Sequence, residues 1–314
     1  MSRRPALSTL LAGAGALLLG VVVVVAAGQL LGREPDAPGS GPSASSRSGA
    51  DDPSLPAPDG ALPADPSGVA RQLTAVTRRL RSEIERWVAS GEQMDGPAPQ
   101  AVELLALRQQ RLYLRLSRDE EAAARAVGLL PDDVRAEARN VISARRALAD
   151  IPEDERDPGE PPPPEIRTGP PAPAGQLRRF YTGAQRRFGV RWEVLAAVNL
   201  VESGFGRLRN ASSAGAQGPM QFIPSTWELY GMGGEIDDPR DAILGAANYL
   251  AASGAPQDSR RALFAYNRST SYVSAVLRHA RAIERDPRHF YALYSWAVYA
   301  QREGQTKRLT GPNR

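Results

Sequence analysis

The 314-residue chain has no cysteine and only two histidines, His279 and His289, which excludes disulfides, thiolate nucleophiles and thiolate metal sites and leaves no ligand cluster at zinc spacing. Net charge is a modest +4, and the arginines do not interleave with aromatics, so no nucleic-acid partner is indicated. The 27 prolines fall in two clusters that cut the chain into segments.

Residues 1–31 contain an uncharged run of about 26 residues, long enough to cross a bilayer. Arg3 and Arg4 precede it, an arrangement that keeps this end in the cytoplasm and sends the rest of the chain outward. Two readings stand: an uncleaved transmembrane anchor, or a signal segment cut near Val25-Ala26-Ala27. Either places the remainder at the outer face of the cell membrane or secreted to the cell wall. Residues 32–68 are rich in Pro, Gly, Ser, Ala and Asp and bury too little apolar surface to offset ordering, so they read as a disordered linker.

Residues 69–150 read as helix. Val69, Leu73, Val76, Leu80, Ile84 and Trp87 follow three-four spacing, and Gly91 to Pro99 break the pattern. Val102, Leu105, Leu112 and Leu116 mark a second helix. Asp132 and Asp133 open a third, carrying Val134, Ala138, Val141 and Leu148. Three amphipathic helices suit a spacer that holds the rest off the membrane, or a hairpin that binds a protein partner. A proline-rich linker follows at 151–173, with Pro161 to Pro164 setting a stiff, extended character.

Residues 174–303 change in pattern. Leu177, Phe180, Tyr181, Ala184 and Phe188 predict a helix stopped by Gly189. A second runs from about Arg191 to Ser203, and its Leu195, Val198, Asn199 and Glu202 share one face. A carboxylate on an apolar stripe near a helix C-terminus is desolvated and faces a partly negative helix end; both effects raise its pKa. That makes a general acid. The competing reading is a buried ion pair with one of the many arginines. Downstream, Gly204, Gly206, Gly215 and Gly218 punctuate a loop that ends in Pro219-Met220-Gln221-Phe222, where backbone and amide groups could meet a flat sugar. Asp238-Pro239-Arg240-Asp241 predicts a capped helix to about Ala252. The aromatic run Phe290, Tyr291, Tyr294, Trp296 and Tyr299 predicts a helix packed onto the domain, and residues 304–314 read as a polar tail. Both histidines sit in an arginine-rich helical stretch, a poor setting for a Ser-His-Asp triad.

Three motifs in order carry a resemblance. Glu202-Ser203 is followed by Ser212-x-x-Gly215-Ala216-x-Gly218-x-Met220-Gln221-x-x-Pro224-x-Thr226. Then come Asp238-Pro239, Ala246-x-x-Tyr249-Leu250 and Ala265-Tyr266-Asn267. Over about 125 residues this resembles the soluble lytic transglycosylase (SLT) family, in its actinobacterial form. The resemblance implies an all-α, lysozyme-like catalytic domain, preceded by the helical spacer and the membrane or signal segment. It implies peptidoglycan glycan strands as substrate, cleaved at the MurNAc-β-1,4-GlcNAc bond to leave 1,6-anhydro ends. It implies no metal and no organic cofactor. Glu202 would be the catalytic acid and then base, with Ser203, Ser212, Met220, Gln221, Tyr266 and Asn267 around the substrate and Tyr266 holding Glu202. Pro219 departs from the bulky apolar residue of many relatives and removes a backbone N–H. A muramidase-type hydrolase would need a second carboxylate. Glu228, Glu235, Asp237, Asp238 and Asp241 are the candidates, of which capping already accounts for Asp238 and Asp241. An inactive peptidoglycan-binding scaffold is the non-enzyme alternative.

Overall fold

The computed structural model describes residues 54–151, 166–212, 214–302 and 305–312. The expected anchor at 1–31 and most of the first linker lie outside them. Among the described residues no helix is long and apolar enough to cross a membrane.

The first half holds α1 (Pro66–Ala89), a 3-10 turn (Gly91–Asp95), α2 (Gln100–Arg118), α3 (Glu120–Gly128) and α4 (Asp132–Ala149). α1 starts where the Asp65 carboxylate accepts the Gly68 N–H at 2.7 Å and Pro66 occupies the first turn. The α1 stripe from Val69 to Trp87 is buried throughout, as its spacing predicts. α3 is additional to the three expected helices. Asp119 caps it by accepting the Ala122 N–H at 2.9 Å, and its alanine-rich sequence carries almost no large apolar residue to announce it.

The second half holds α5 (Ala174–Phe188), α6 (Trp192–Ser203), α7 (Pro224–Tyr230), α8 (Pro239–Ala252), α9 (Ser259–Tyr266), α10 (Thr270–Arg285) and α11 (Arg288–Tyr294). Gly189 ends α5 at φ 75°, a left-handed conformation glycine adopts without penalty. Asp238 caps α8 by accepting the N–H groups of Arg240 and Asp241, with Pro239 in the first turn. Phe290 is the hub of the packing, with Tyr181, Trp192 and Phe205 edge-on to it at 6.0, 5.8 and 5.6 Å.

Four expectations change. First, residues 69–150 are not a detached spacer, because their apolar stripes belong to the same core as the second half. α4 lies along α10, and α1 reaches α11 through Trp87 and Tyr291, whose rings are 5.7 Å apart. The Gln110 side chain bonds the backbone of Ala297 in both directions, at 2.8 and 2.9 Å. An amphipathic stripe says that a helix must be covered and is silent about what covers it. Each large side chain hidden this way is worth about 1.5–3 kcal/mol, so helices with neighbouring apolar surface do not stay apart.

Second, the end of the 32–68 segment is ordered. Residues 54–65 lie against α2, with Arg108 donating to the carbonyls of Gly60 and Ala61 and Arg111 to those of Pro58 and Gly60. Third, the end of the 151–173 linker pairs with the loop after α6: Gly169 N–H donates to Arg207 O at 2.9 Å, and Arg209 N–H to Arg167 O at 3.0 Å. Composition marked both segments as polar; side-chain and backbone bonds from distant residues supply the order. Fourth, the polar tail contains a strand. β1 (Tyr299–Arg302) and β2 (Gln305–Arg308) form an antiparallel hairpin, the only sheet among the described residues, and Leu309 N–H closes onto Val298 O at 2.8 Å.

Candidate active site

α6 is apolar almost all round and every one of its residues except Glu193 is buried, so it runs through the centre of the second half. Glu202 sits in its last turn, just before Gly204 ends the helix at φ 59°. Its side chain is 5% exposed. Burial pushes its pKa up to about 8, against the opposing pull of a hydrogen bond from Tyr272. That bond runs from the Tyr272 hydroxyl to Glu202 Oε1 at 2.6 Å. Burial first, then the charge of Glu202, raises the Tyr272 pKa well above its ordinary value, so the phenol stays a donor.

Tyr272 did not emerge from the sequence. It lies in the first turn of α10, where Ser269 caps the helix by accepting the Tyr272 N–H at 3.3 Å. Asn267 in turn accepts the Ser269 N–H at 3.1 Å. The Ala265-Tyr266-Asn267 triplet thus ends α9 and launches α10 so that Tyr272 meets the acid. A serine three residues before a tyrosine on an apolar stripe was the available signal.

Burial first, then the charge of the nearby Glu202, raises the Tyr266 pKa well above its ordinary value, so Tyr266 stands near the acid without bonding it. Its hydroxyl donates to the Met220 carbonyl at 2.6 Å and not to Glu202. Its ring lies among those of Phe222 at 5.9 Å and Tyr249 at 5.5 Å. Tyr266 therefore holds the 218–222 loop, and a ring committed to that loop cannot also turn its single hydroxyl to the acid. Met220 is fully buried, with its sulfur 3.0 Å from the Asn199 amide nitrogen. Gln221 adopts a left-handed φ of 48°, rare outside glycine, and its amide donates to Gly218 O at 3.0 Å. At Gly218 a Cβ would stand 2.0 Å from Ile236 O, so only glycine fits.

Ser203 is wholly buried beside the acid. Its hydroxyl donates to Pro219 O at 2.5 Å and accepts the Gly206 N–H at 2.7 Å, tying the end of α6 to both loops. Pro219 loses its N–H but contributes this carbonyl. Ser212 closes the preceding loop, its hydroxyl oxygen accepting the Ala216 N–H at 2.9 Å. All seven predicted residues are buried or nearly so, and all but Ser212 are linked to Glu202 or its loops by the bonds above. A cavity of about 670 Å³ at the seam of the two halves, bordered by Glu103, Arg207 and Tyr294, includes none of them.

Among the described residues only Glu137 and Glu202 are buried carboxylates. Of the second-acid candidates, Glu228, Glu235, Asp237 and Asp238 are exposed, and Asp241 is occupied in accepting the Glu235 N–H.

Residues 180–288 match the family model of the transglycosylase SLT domain. This part of the chain is an SLT domain. A curated relative, membrane-bound lytic murein transglycosylase F of Thiobacillus denitrificans (strain ATCC 25259 / T1), is 32% identical over 129 residues. That match takes in 38% of this chain and 26% of the relative, so the chain spans about a quarter of the relative's length. No solved structure matches the chain. The SLT domain as matched begins inside α5 and ends at the start of α11; helices α1 to α4 lie outside it.

Proposed function

We propose that the protein is a peptidoglycan lytic transglycosylase that cleaves the MurNAc-β-1,4-GlcNAc bond and leaves 1,6-anhydro-MurNAc ends. The observation that carries this reading is a single buried glutamic acid, Glu202, bonded by one neutral donor, Tyr272, in an SLT domain. Held protonated at neutral pH, Glu202 donates its proton to the glycosidic oxygen as the bond breaks. The carboxylate left behind is stabilised by the Tyr272 hydroxyl, which bonds most strongly to the charged form. Glu202 then takes the proton of the muramyl 6-hydroxyl, whose oxygen attacks its own anomeric carbon. The nucleophile comes from the substrate, so one carboxylate suffices.

The hydrolase reading has less support, because a retaining or inverting glycosidase needs a second positioned carboxylate, and the candidates are exposed or engaged. The scaffold reading needs a lost acid, and Glu202 is present. For location, we propose attachment to the membrane through residues 1–31, or secretion to the cell wall, with the SLT domain outside. The partner role for residues 69–150 has lost its main ground, because their apolar stripes are covered within the chain.

Mass spectrometry of soluble muropeptides released by the full-length protein in neutral detergent tests the reading. Products one water lighter than reducing-end muropeptides are expected. Reducing ends would make the enzyme a hydrolase, and absence of products with retained wall binding would make it a scaffold.

A further inference from the structure

A second constellation of buried polar groups lies where the two halves meet, and the proposed reaction makes no use of it. A cavity of about 30 Å³ is lined by Arg145 of α4, His279 of α10, Trp296, Tyr299, and Leu200 and Gly204 at the end of α6. Arg145, His279 and Trp296 are 5%, 1% and 7% exposed. Arg145 Nε, His279 Nδ1 and Trp296 Nε1 are each buried without a hydrogen-bond partner among the described residues. Gln110, on the same wall, is satisfied in both directions by Ala297.

The chemistry of the three nitrogens is one-sided. Arginine and indole N–H groups can only donate, and an imidazole nitrogen donates in one of its tautomers. Arg145 pairs with no carboxylate among the described residues; its neighbours are the Trp296 ring, 5.8 Å from the guanidinium carbon, and the Tyr299 phenol. Burial, with help from His289 and Arg145, holds His279 well down, to about 3, so the wall carries one positive charge at neutral pH. Burial lowers Arg145 itself only to about 10, which leaves it charged. A buried charge without a partner is strongly disfavoured, and buried donors without acceptors add to the cost. The volume suits one small occupant. An occupant that accepts hydrogen bonds and carries one negative charge answers both deficits.

We infer that the cavity between Arg145, His279 and Trp296 is a binding site for a small inorganic anion of the halide class. The site joins α4 to α10 and to the end of α6. Leu200 and Gly204 bracket Glu202 in sequence, so the wall of the anion site and the proposed catalytic acid share the last turn of one helix.

Thermal unfolding of the full chain in neutral detergent tests this, with chloride or bromide titrated against gluconate at constant ionic strength. Gluconate is too large for the cavity. The midpoint should rise by about 3–6 °C on going to saturating halide, and not in gluconate. Arg145→Met should abolish the halide dependence and, in gluconate, melt at or above the wild type, since it removes an uncompensated buried cation. Trp296→Phe keeps the ring and removes one donor, and should weaken the apparent halide affinity about tenfold; it covers the case in which Arg145→Met does not fold. Crystals grown in bromide should show an anomalous peak within hydrogen-bonding distance of Arg145 Nε. A midpoint indifferent to halide, or a cavity that holds water alone in bromide crystals, overturns the assignment.

Discussion

Glu137 in the first half and Glu202 in the SLT domain are the same residue type at the same 5% exposure, and they are held in opposite charge states. Burial pushes both upward. At Glu137, His289 and Arg81 outweigh burial and bring the carboxyl down to about 2. Arg81 bonds Oε2 at 2.9 Å, Gln109 and Tyr113 donate to Oε1 at 3.1 and 3.0 Å, and His289 Nδ1 stands 3.4 Å away. At Glu202 one neutral hydroxyl is the only donor among the described residues, burial wins, and the carboxyl rises to about 8. Burial alone therefore does not make an acid. The charge and number of the donors decide whether a buried carboxyl is held as an anion or keeps its proton, and the described residues contain one of each.

The sharpest break of the comparison is Glu202→Gln. Glycan cleavage should fall by about a thousandfold or more, read as muropeptide release, because both proton transfers are lost. The fold should survive, since a neutral amide replaces a neutral acid. Glu137→Ala should do the reverse: a loss of about 3–5 kcal/mol in stability, seen in denaturant unfolding, because Arg81, Gln109 and Tyr113 lose their acceptor. Activity per folded molecule should change little. Tyr272→Phe should be milder, with activity down about tenfold, the worth of one hydrogen bond to a charged group. This bond lowers the Glu202 pKa, so its loss raises it, and the alkaline limb of the rate profile should move to higher pH.

The smallest effect separates the two carboxyls by pH. The folded pKa of Glu202 is raised, so between about 4.5 and 8 the native state binds the extra proton and stability falls as pH rises. The folded pKa of Glu137 is depressed, so its contribution is present above about 4.5 and is lost as pH falls towards 2. Melting curves should show wild type losing ground to Glu202→Gln from pH 5 to 8. Glu137→Gln should show no such alkaline trend relative to wild type, and its deficit should shrink below pH 4.

Much of this was legible beforehand. The α1 stripe, the Gly189 stop, the Asp238-Pro239 cap and the burial of Glu202 on α6 follow from local rules of spacing, capping and backbone freedom. α3 was not legible, because Glu120 to Gly128 offers a cap but hardly any apolar periodicity. The hairpin of 299–308 was not, because its strands are polar and their pairing is stabilised by contacts made far away, such as Arg308 with Asp59. Tyr272 was missed because a hydrogen bond across 70 residues leaves no mark in the spacing of either partner.

By itself the sequence determined the strongly periodic or capped helices and the placing of Glu202 on an apolar face, because each depends on residues within a few positions of one another. Only the tertiary structure decided that the first four helices share the core of the SLT domain, that Tyr272 and not Tyr266 bonds Glu202, and that Glu137 and Glu202 take opposite charges. Those outcomes depend on which groups meet across long stretches of chain, and a pKa is set by the neighbours that packing supplies.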